Sequence, residues 1–404
     1  MIAGVVVTLL LISCNSGNST LKEGVWRGVF DLESNEIPFI FEVKGSSPDS
    51  LSVSLINGEE RFPLGKITYR NDSVTIPVDL YDAVLTGKLL DNRIDGRFIR
   101  LTAEKPDKGI PFKAQWGQSQ RFLTVAEIPQ FSLGGTWDIE MLNPDHPNHT
   151  VGIFEQRENL LTGSILTNSG DYRFLEGVVY GKRFQLSAFS GSSPYLVEGE
   201  FTSDSTFVGA FVTPRRSVKI EGRRNPSAAL ADPYGLSALK EGFTTLDFSF
   251  PNLDGNPVSL ADSRYKGKVV IVSILGSWCP NCLDEAAFLS PWYKENRKRG
   301  VEILGLAFER KNDFDFAKRT LTRLIERFDI QYQILFAGQS GTDSASKALP
   351  ALNGIAAFPT TIFIDKKGAV RKVHTGFSGP ATGKFYEDFK GEFNRLVDTL
   401  LVEE

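Results

Sequence analysis

A near-continuous apolar run, Val269-Val270-Ile271-Val272-Ser273-Ile274-Leu275, constrains this chain more than any other stretch. Such a run has no solvent face, so it reads as a strand covered on both sides within a sheet flanked by helices. After Gly276 comes Ser277-Trp278-Cys279-Pro280-Asn281-Cys282, and from Pro280 onward the apolar spacing turns helical. A strand that ends in C-x-x-C, with a helix opening under the two thiols, is a redox layout.

Cysteine usage narrows the reading. The 404 residues contain three cysteines, Cys14, Cys279 and Cys282. Cys14 follows an apolar run from Ile2 to Ile12. That run is shorter than the roughly 20 residues a membrane-spanning helix needs and has the length of the core of an export signal. Leu11-Ile12-Ser13-Cys14 resembles a bacterial lipobox, which implies that Cys14 is lipidated and holds the chain to a membrane. Asn15 to Thr20 then reads as a flexible tether. One departure is that no Lys or Arg precedes the run. With residues 1–19 assigned to signal and tether, the expected location is the bacterial cell envelope, facing the periplasm. The net charge of −4 is dispersed and no basic tract occurs, which argues against a nucleic-acid partner.

Residues 20–131 and 132–225 have a β-rich texture. Short alternating stretches such as Phe39-Ile40-Phe41-Glu42-Val43 and Gly177-Val178-Val179-Tyr180 are broken by Gly, Asn, Asp and Ser. This is the pattern of antiparallel barrels or sandwiches. The region also repeats itself. Gly24-Val25-Trp26 recurs as Gly135-Thr136-Trp137, Arg61-Phe62 as Arg173-Phe174, and Leu85-Thr86-Gly87 as Val197-Glu198-Gly199, at offsets of 111 or 112 residues. Two related β units are expected, with Trp26 and Trp137 as core plugs. The G-x-W that opens each unit resembles that of small lipocalin-type barrels. His146 and His149 read as members of a solvated loop, and no metal site is expected.

Residues 226–243 have the Pro, Gly and small-residue character of a linker. Beyond them strands alternate with helices: strands at 245–250, 269–275, 301–308, 359–365 and 369–374, and helices at 280–299, 314–328 and 384–401. The fold class expected is a multidomain chain, a duplicated antiparallel all-β region followed by an α/β domain with a partly parallel sheet. Residues 244–404 resemble the TlpA/ResA-like thiol–disulfide oxidoreductases of the thioredoxin fold. The resemblance is carried by Phe250-Pro251-Asn252-Leu253-Asp254-Gly255, Lys266-Gly267-Lys268-Val269-Val270, Ser277-Trp278-Cys279-Pro280-Asn281-Cys282 and Phe358-Pro359-Thr360-Thr361-Ile362-Phe363-Ile364-Asp365, in that order. It does not extend to the β units.

Thiol–disulfide exchange needs a thiolate, and an ordinary cysteine titrates near about 8.5. Cys279, at the helix start, meets unpaired N–H groups and the positive end of the helix dipole, so it is the expected nucleophile. Cys282, one turn on and deeper, is expected to resolve the mixed disulfide. Glu285 lies on the same apolar stripe, while its neighbour Asp284 is expected to face solvent. The resemblance implies that Glu285 is a proton acceptor for Cys282 and that Pro359 is the family's cis-proline. It also implies that Trp278 and the Phe358 backbone form a docking surface. The partners implied are a disulfide-bearing client protein and a dithiol electron donor. No cofactor is implied beyond the Cys279–Cys282 disulfide. Pro280-Asn281 adds no positive charge, which favours a reducing over a strongly oxidising role. A peroxiredoxin-like thiol peroxidase is a rival reading, but Ser273 to Trp278 lacks that class's Pro-x-x-x-Thr-x-x loop. A second rival is a binding lipoprotein whose β units capture a ligand or client.

Overall fold

In a computed structural model of the chain, residues 20–47, 50–102, 107–122, 127–143 and 148–403 are described. Cys14, the Ile2–Ile12 run and His146 lie outside them. Period-two burial builds the N-terminal half, as in Ser73–Val78, where buried and half-buried positions alternate. Nine antiparallel strands form the first sheet: β1 (Gly24–Asp31), β2 (Glu36–Lys44), β3 (Ser52–Asn57), β4 (Glu60–Pro63), β5 (Thr68–Arg70), β6 (Ser73–Val78), β7 (Ala83–Leu90), β8 (Arg93–Arg100) and β9 (Ile110–Trp116). Their order, β4-β3-β2-β1-β9-β8-β7-β6-β5, gives a curled sheet with β4 and β5 at its ends.

A second set comprises β10 (Gly135–Leu142), β11 (Asn148–Arg157), β12 (Leu160–Thr167), β13 (Gly170–Asp171), β14 (Leu175–Tyr180), β15 (Arg183–Phe189), β16 (Pro194–Phe201), β17 (Thr206–Val212) and β18 (Ser217–Arg224). Strands β11-β10-β18-β17-β16-β15-β14-β12 run in that order, and β11 pairs with β12 to close a barrel. The short β13 is appended to β12.

The duplication is visible in atomic detail. Trp26 and Trp137 are fully buried. Each indole N–H donates to the carbonyl four residues earlier, Lys22 O at 3.0 Å and Leu133 O at 2.7 Å. Gly87 faces Gly96 across β7 and β8, as Gly199 faces Gly209 across β16 and β17. The two units also share a core. Phe189 of β15 packs edge-on to Phe30, Phe39 and Phe98 of the first sheet. Buried Asn57 pairs its side-chain amide with both backbone groups of Phe189, each at 3.0 Å.

The C-terminal part contains β19 (Ser249–Pro251), β20 (Pro257–Ser259), β21 (Val269–Leu275), α1 (Pro280–Asn296), β22 (Val301–Glu309), α2 (Phe314–Phe328), β23 (Gln333–Gln339), α3 (Thr342–Ala348), β24 (Thr360–Ile364), β25 (Val370–Thr375) and α4 (Lys384–Val402). The sheet order is β23-β22-β21-β24-β25. Strand β21, buried at every residue, is parallel to β22 and antiparallel to β24. This is the thioredoxin fold, with the C-x-x-C at the carboxyl end of its central strand.

Three sequence expectations differ from the structure. Of 245–250 only Ser249 and Phe250 join a ladder, as part of β19 against β20, while Leu246 and Phe248 are buried as core residues of an irregular segment. The helix expected at 280–299 ends at Asn296 and tightens into a 3₁₀ turn at Arg297–Arg299. Strand β23 and helix α3 were not foreseen, since a short run with Gly338 near its end carries a weak periodic signal.

Trp137 also packs against Phe207, with ring centroids 5.2 Å apart. Replacing it with Ala removes both the plug and its hydrogen bond, and the expected loss is about 3–5 kcal/mol. Urea titration of the full chain checks this; a cost below about 1 kcal/mol would show that the barrel does not depend on its plug.

Candidate active site

Helix α1 starts where it does for local reasons. Gly276 ends the central strand, and a Cβ there would sit 2.3 Å from Trp278 Nε1 and 2.9 Å from Phe308 O, so the close packing of this loop needs glycine. Cys279 has extended backbone angles and caps the helix, and Pro280 occupies its first turn. The Cys279 sulfur accepts the Cys282 N–H at 3.4 Å, so one otherwise unpaired helix donor points at it. Both cysteines are thiols in the structure. Cys279 is 5% exposed and Cys282 1%. Burial, and then the neighbouring Cys279, push the Cys282 thiol well above its ordinary range.

Opposite the thiols lies the loop before β24. The Phe358–Pro359 peptide is cis, and the Cys279 thiol lies 3.6 Å from the Phe358 carbonyl oxygen. Trp278 is half-buried: its indole N–H donates to Phe308 O at 2.8 Å, and its ring meets Phe358 edge-on. Thus Trp278, Cys279, Cys282, Phe358 and Pro359 come together, while Cys14 lies outside the described residues.

Glu285 is 2% exposed. It accepts hydrogen bonds from Ser273 Oγ of β21 at 2.5 Å and from Thr361 Oγ1 of β24. Burial outweighs those bonds and pushes its carboxyl up to about 7. A second buried acid, Glu309, went unnoticed in the sequence. It accepts from the Ser277 N–H at 2.9 Å and the Ser277 hydroxyl at 2.7 Å, which fixes the loop leading to Cys279. The only hint was an acid ending an otherwise apolar strand.

Asp284 overturns an expectation. It does not face solvent but is buried, because the β region covers this side of α1. Arg173, just after β13, reaches it at 2.7 Å. The same guanidinium pairs with Glu60 of β4 and donates to Pro280 O, between the two cysteines, at 3.1 Å. Burial alone would lower the Arg173 pKa; Asp284 and Glu60 more than offset this, and it is raised. Burial also pushes Asp284 up to about 7, against the opposing pull of Arg173. Alongside, the Asn281 side-chain amide pairs with both backbone groups of Asp171, at 3.1 and 3.3 Å, with its orientation assigned from the hydrogen bonding. Asp171 Oδ2 in turn accepts the Gly379 N–H at 2.7 Å. Four groups outside the motif, Glu60, Asp171, Arg173 and Asp284, therefore shape this site. His149, by contrast, bonds to Glu140 at 2.8 Å, away from the thiols.

Comparison with known proteins agrees with this geometry. A family model described as the AhpC/TSA family matches residues 242–373. The thiol-disulfide oxidoreductase ResA of Geobacillus thermodenitrificans is 32% identical over 140 residues, covering 35% of this chain and 72% of that protein. The chain belongs to the ResA family of thiol–disulfide oxidoreductases. The ResA of Bacillus subtilis strain 168 is 25% identical over 142 residues, covering 35% of this chain and 71% of that one. A solved thioredoxin-family thiol:disulfide interchange protein from Chlorobium tepidum TLS shares 26% identity, with 41% of this chain and 99% of that chain covered, at a TM-score of 0.30.

In this ResA-family chain the buried Glu285 makes stability depend on pH with a definite sign. Its ordinary value is 4.5 and its folded value about 7. Between those values the folded chain holds a proton that the unfolded chain has released, so stability falls as pH rises through that window. The contribution is on the order of 3 kcal/mol. Glu285→Gln is expected to flatten this part of the fall, read from urea unfolding at pH 5 and pH 8; an unchanged difference between the two would contradict the assignment.

Proposed function

We propose that the chain is an extracytoplasmic thiol–disulfide oxidoreductase, lipid-anchored through Cys14, that reduces disulfides in client proteins. Its parts are two β units (20–131 and 132–225), a linker (226–243) and a redox unit (244–404). The reading is carried by one observation: the Cys279 sulfur caps α1 at its N-terminus and lies 3.6 Å from Phe358 O beside Pro359. An extended client segment pairs with the Phe358 backbone and packs on Trp278.

The chemistry balances as follows. The Cys279 thiolate attacks one sulfur of the client disulfide; a mixed disulfide forms, and the other client sulfur leaves as a thiolate that takes a proton. Cys282 gives its proton to Glu285 and attacks the Cys279 sulfur. The Cys279–Cys282 disulfide forms, and the client departs with two thiols and two added electrons. A dithiol donor then reduces the pair again. The raised Cys282 pKa keeps this thiol protonated until the mixed disulfide has formed, and a carboxyl near 7 is matched to accept its proton.

With dithiothreitol as donor, the full chain is expected to reduce insulin. Cys279→Ser abolishes this, Cys282→Ser accumulates a mixed disulfide with insulin, and Glu285→Gln slows release of that intermediate about 10²-fold or more. Stopped-flow kinetics over pH 5–9 check the last point; equal rates and an unmoved pH profile would remove Glu285 from the mechanism. Anchoring is tested separately in a bacterial host: incorporation of a labelled fatty acid is expected in the wild type and absent in Cys14→Ser, and an unlabelled wild type refutes it.

A further inference from the structure

The wall that the β region places against the C-x-x-C has no role in the exchange chemistry described above. It is nonetheless built from close, buried contacts. The β12–β13 turn lies directly on the motif. A Cβ at Gly170 would sit 2.4 Å from the Asn281 amide carbon, so glycine lets the two approach this far. Asn281 then bonds the Asp171 backbone as though it were a strand neighbour. Arg173 donates to Pro280 O and pairs with Asp284 and Glu60. The side chains of Arg173, Glu60 and Asp284 are only 11%, 8% and 11% exposed. The first β unit adds Tyr81, which is buried, stacks on Phe62, and has a hydroxyl without a hydrogen-bond partner among the described residues. On the far side, Arg323 of α2 pairs with Asp82 at 2.6 Å. Both β units are thus seated on the redox unit next to Cys279.

We propose that this wall selects clients by shape, with Arg173 and the Gly170–Asp171 turn as its specificity-determining residues. Disulfides carried on small molecules or extended segments reach Cys279 along the Trp278–Phe358 side. Disulfides set in the surface of a folded domain larger than insulin are held off, because the β region occupies the space such a domain would need. Arg173 acts through position only and touches neither sulfur in the exchange.

The test uses the full chain carrying Cys14→Ser, so that Cys279 is the thiol attacked. Its alkylation is timed with iodoacetamide and with a 5-kDa polyethylene-glycol maleimide, and the ratio of rates is normalised to that of glutathione with the same reagents (~5 kDa is a size beyond any single side-chain gap). The normalised large-to-small ratio is expected to be about tenfold or more below one in the parent and to rise toward one in Arg173→Glu, which sets a third buried acid against Glu60 and Asp284. Arg173→Lys is expected to restore most of the discrimination, and the wedge Gly170→Val provides the same measurement should Arg173→Glu fail to fold. A parent ratio near one, or a ratio unchanged in the folded variant, overturns the proposal. It rests on Cys279 being the nucleophile; a Cys279 inert to iodoacetamide would fell that reading, whereas a lost size dependence removes only the wall.

Discussion

A single guanidinium touches all three parts of this molecule at once. Moving an ion of this size out of water costs several kcal/mol even after relaxation, and the cost is recovered only when its hydrogen bonds are met with good geometry. Arg173 meets them by drawing partners from both neighbours: Glu60 from the first β unit, Asp284 and the Pro280 carbonyl from the redox helix. With Asp171 nearby, three carboxyls share this one cation. Burial pushes both Asp171 and Asp284 up, and Asp284, with Asp171 and Glu60 adding negative charge to one small volume, reaches about 7. The first turn of α1 is therefore fixed from outside by the β region and from inside by the sheet.

The inner face is fixed by the same means, with acids given different tasks by their partners. Glu309 faces the Ser277 backbone and hydroxyl, so its hydrogen bonds hold the loop that carries Cys279. Glu285 sits between two hydroxyls on adjacent strands and pairs with no cation among the described residues. Hydroxyl bonds offset little of the desolvation, which is why this carboxyl stays protonated to near neutral pH and is free to exchange a proton there. An arginine in place of Ser273 or Thr361 would hold it ionised and end that capacity.

What could be read from the sequence follows from how local the cause was. The central strand, the capped helix and the two thiols are contiguous in the chain, and their pattern survives without tertiary information. The duplication was legible because Trp26 and Trp137 answer the same local demand, an indole that closes a core and bonds four residues back. Asp284 was misjudged for the opposite reason. Helical spacing places it off the inner stripe, and in a redox unit standing alone that face would meet water. It is buried because Arg173 arrives from 111 positions earlier in the chain, and no local pattern reports a partner at that distance. The segment 245–250 failed similarly: alternation was read as a strand, but Leu246 and Phe248 satisfy their burial without joining a ladder.

The repeat itself explains how such a cluster arises without a dedicated motif. Arg61 and Arg173 occupy matching positions in the two β units, yet Arg61 is exposed and, among the described residues, its side chain bonds only to the nearby Gly58 and Glu60 carbonyls. Its copy has turned inward onto the redox helix. The acid that meets Arg173 is Glu60, the neighbour of Arg61, whose own counterpart at the 112-residue offset is Tyr172, an aromatic packed against Tyr195 and Phe211 in the barrel. Adjacent positions of the repeat thus supply opposite charges from different copies. An ion pair assembled this way requires both units to sit against α1 together, and neither unit alone could neutralise the cluster. A duplicated β region, which a tether of any kind could replace if distance from the membrane were its task, is in this way made part of the wall around Cys279.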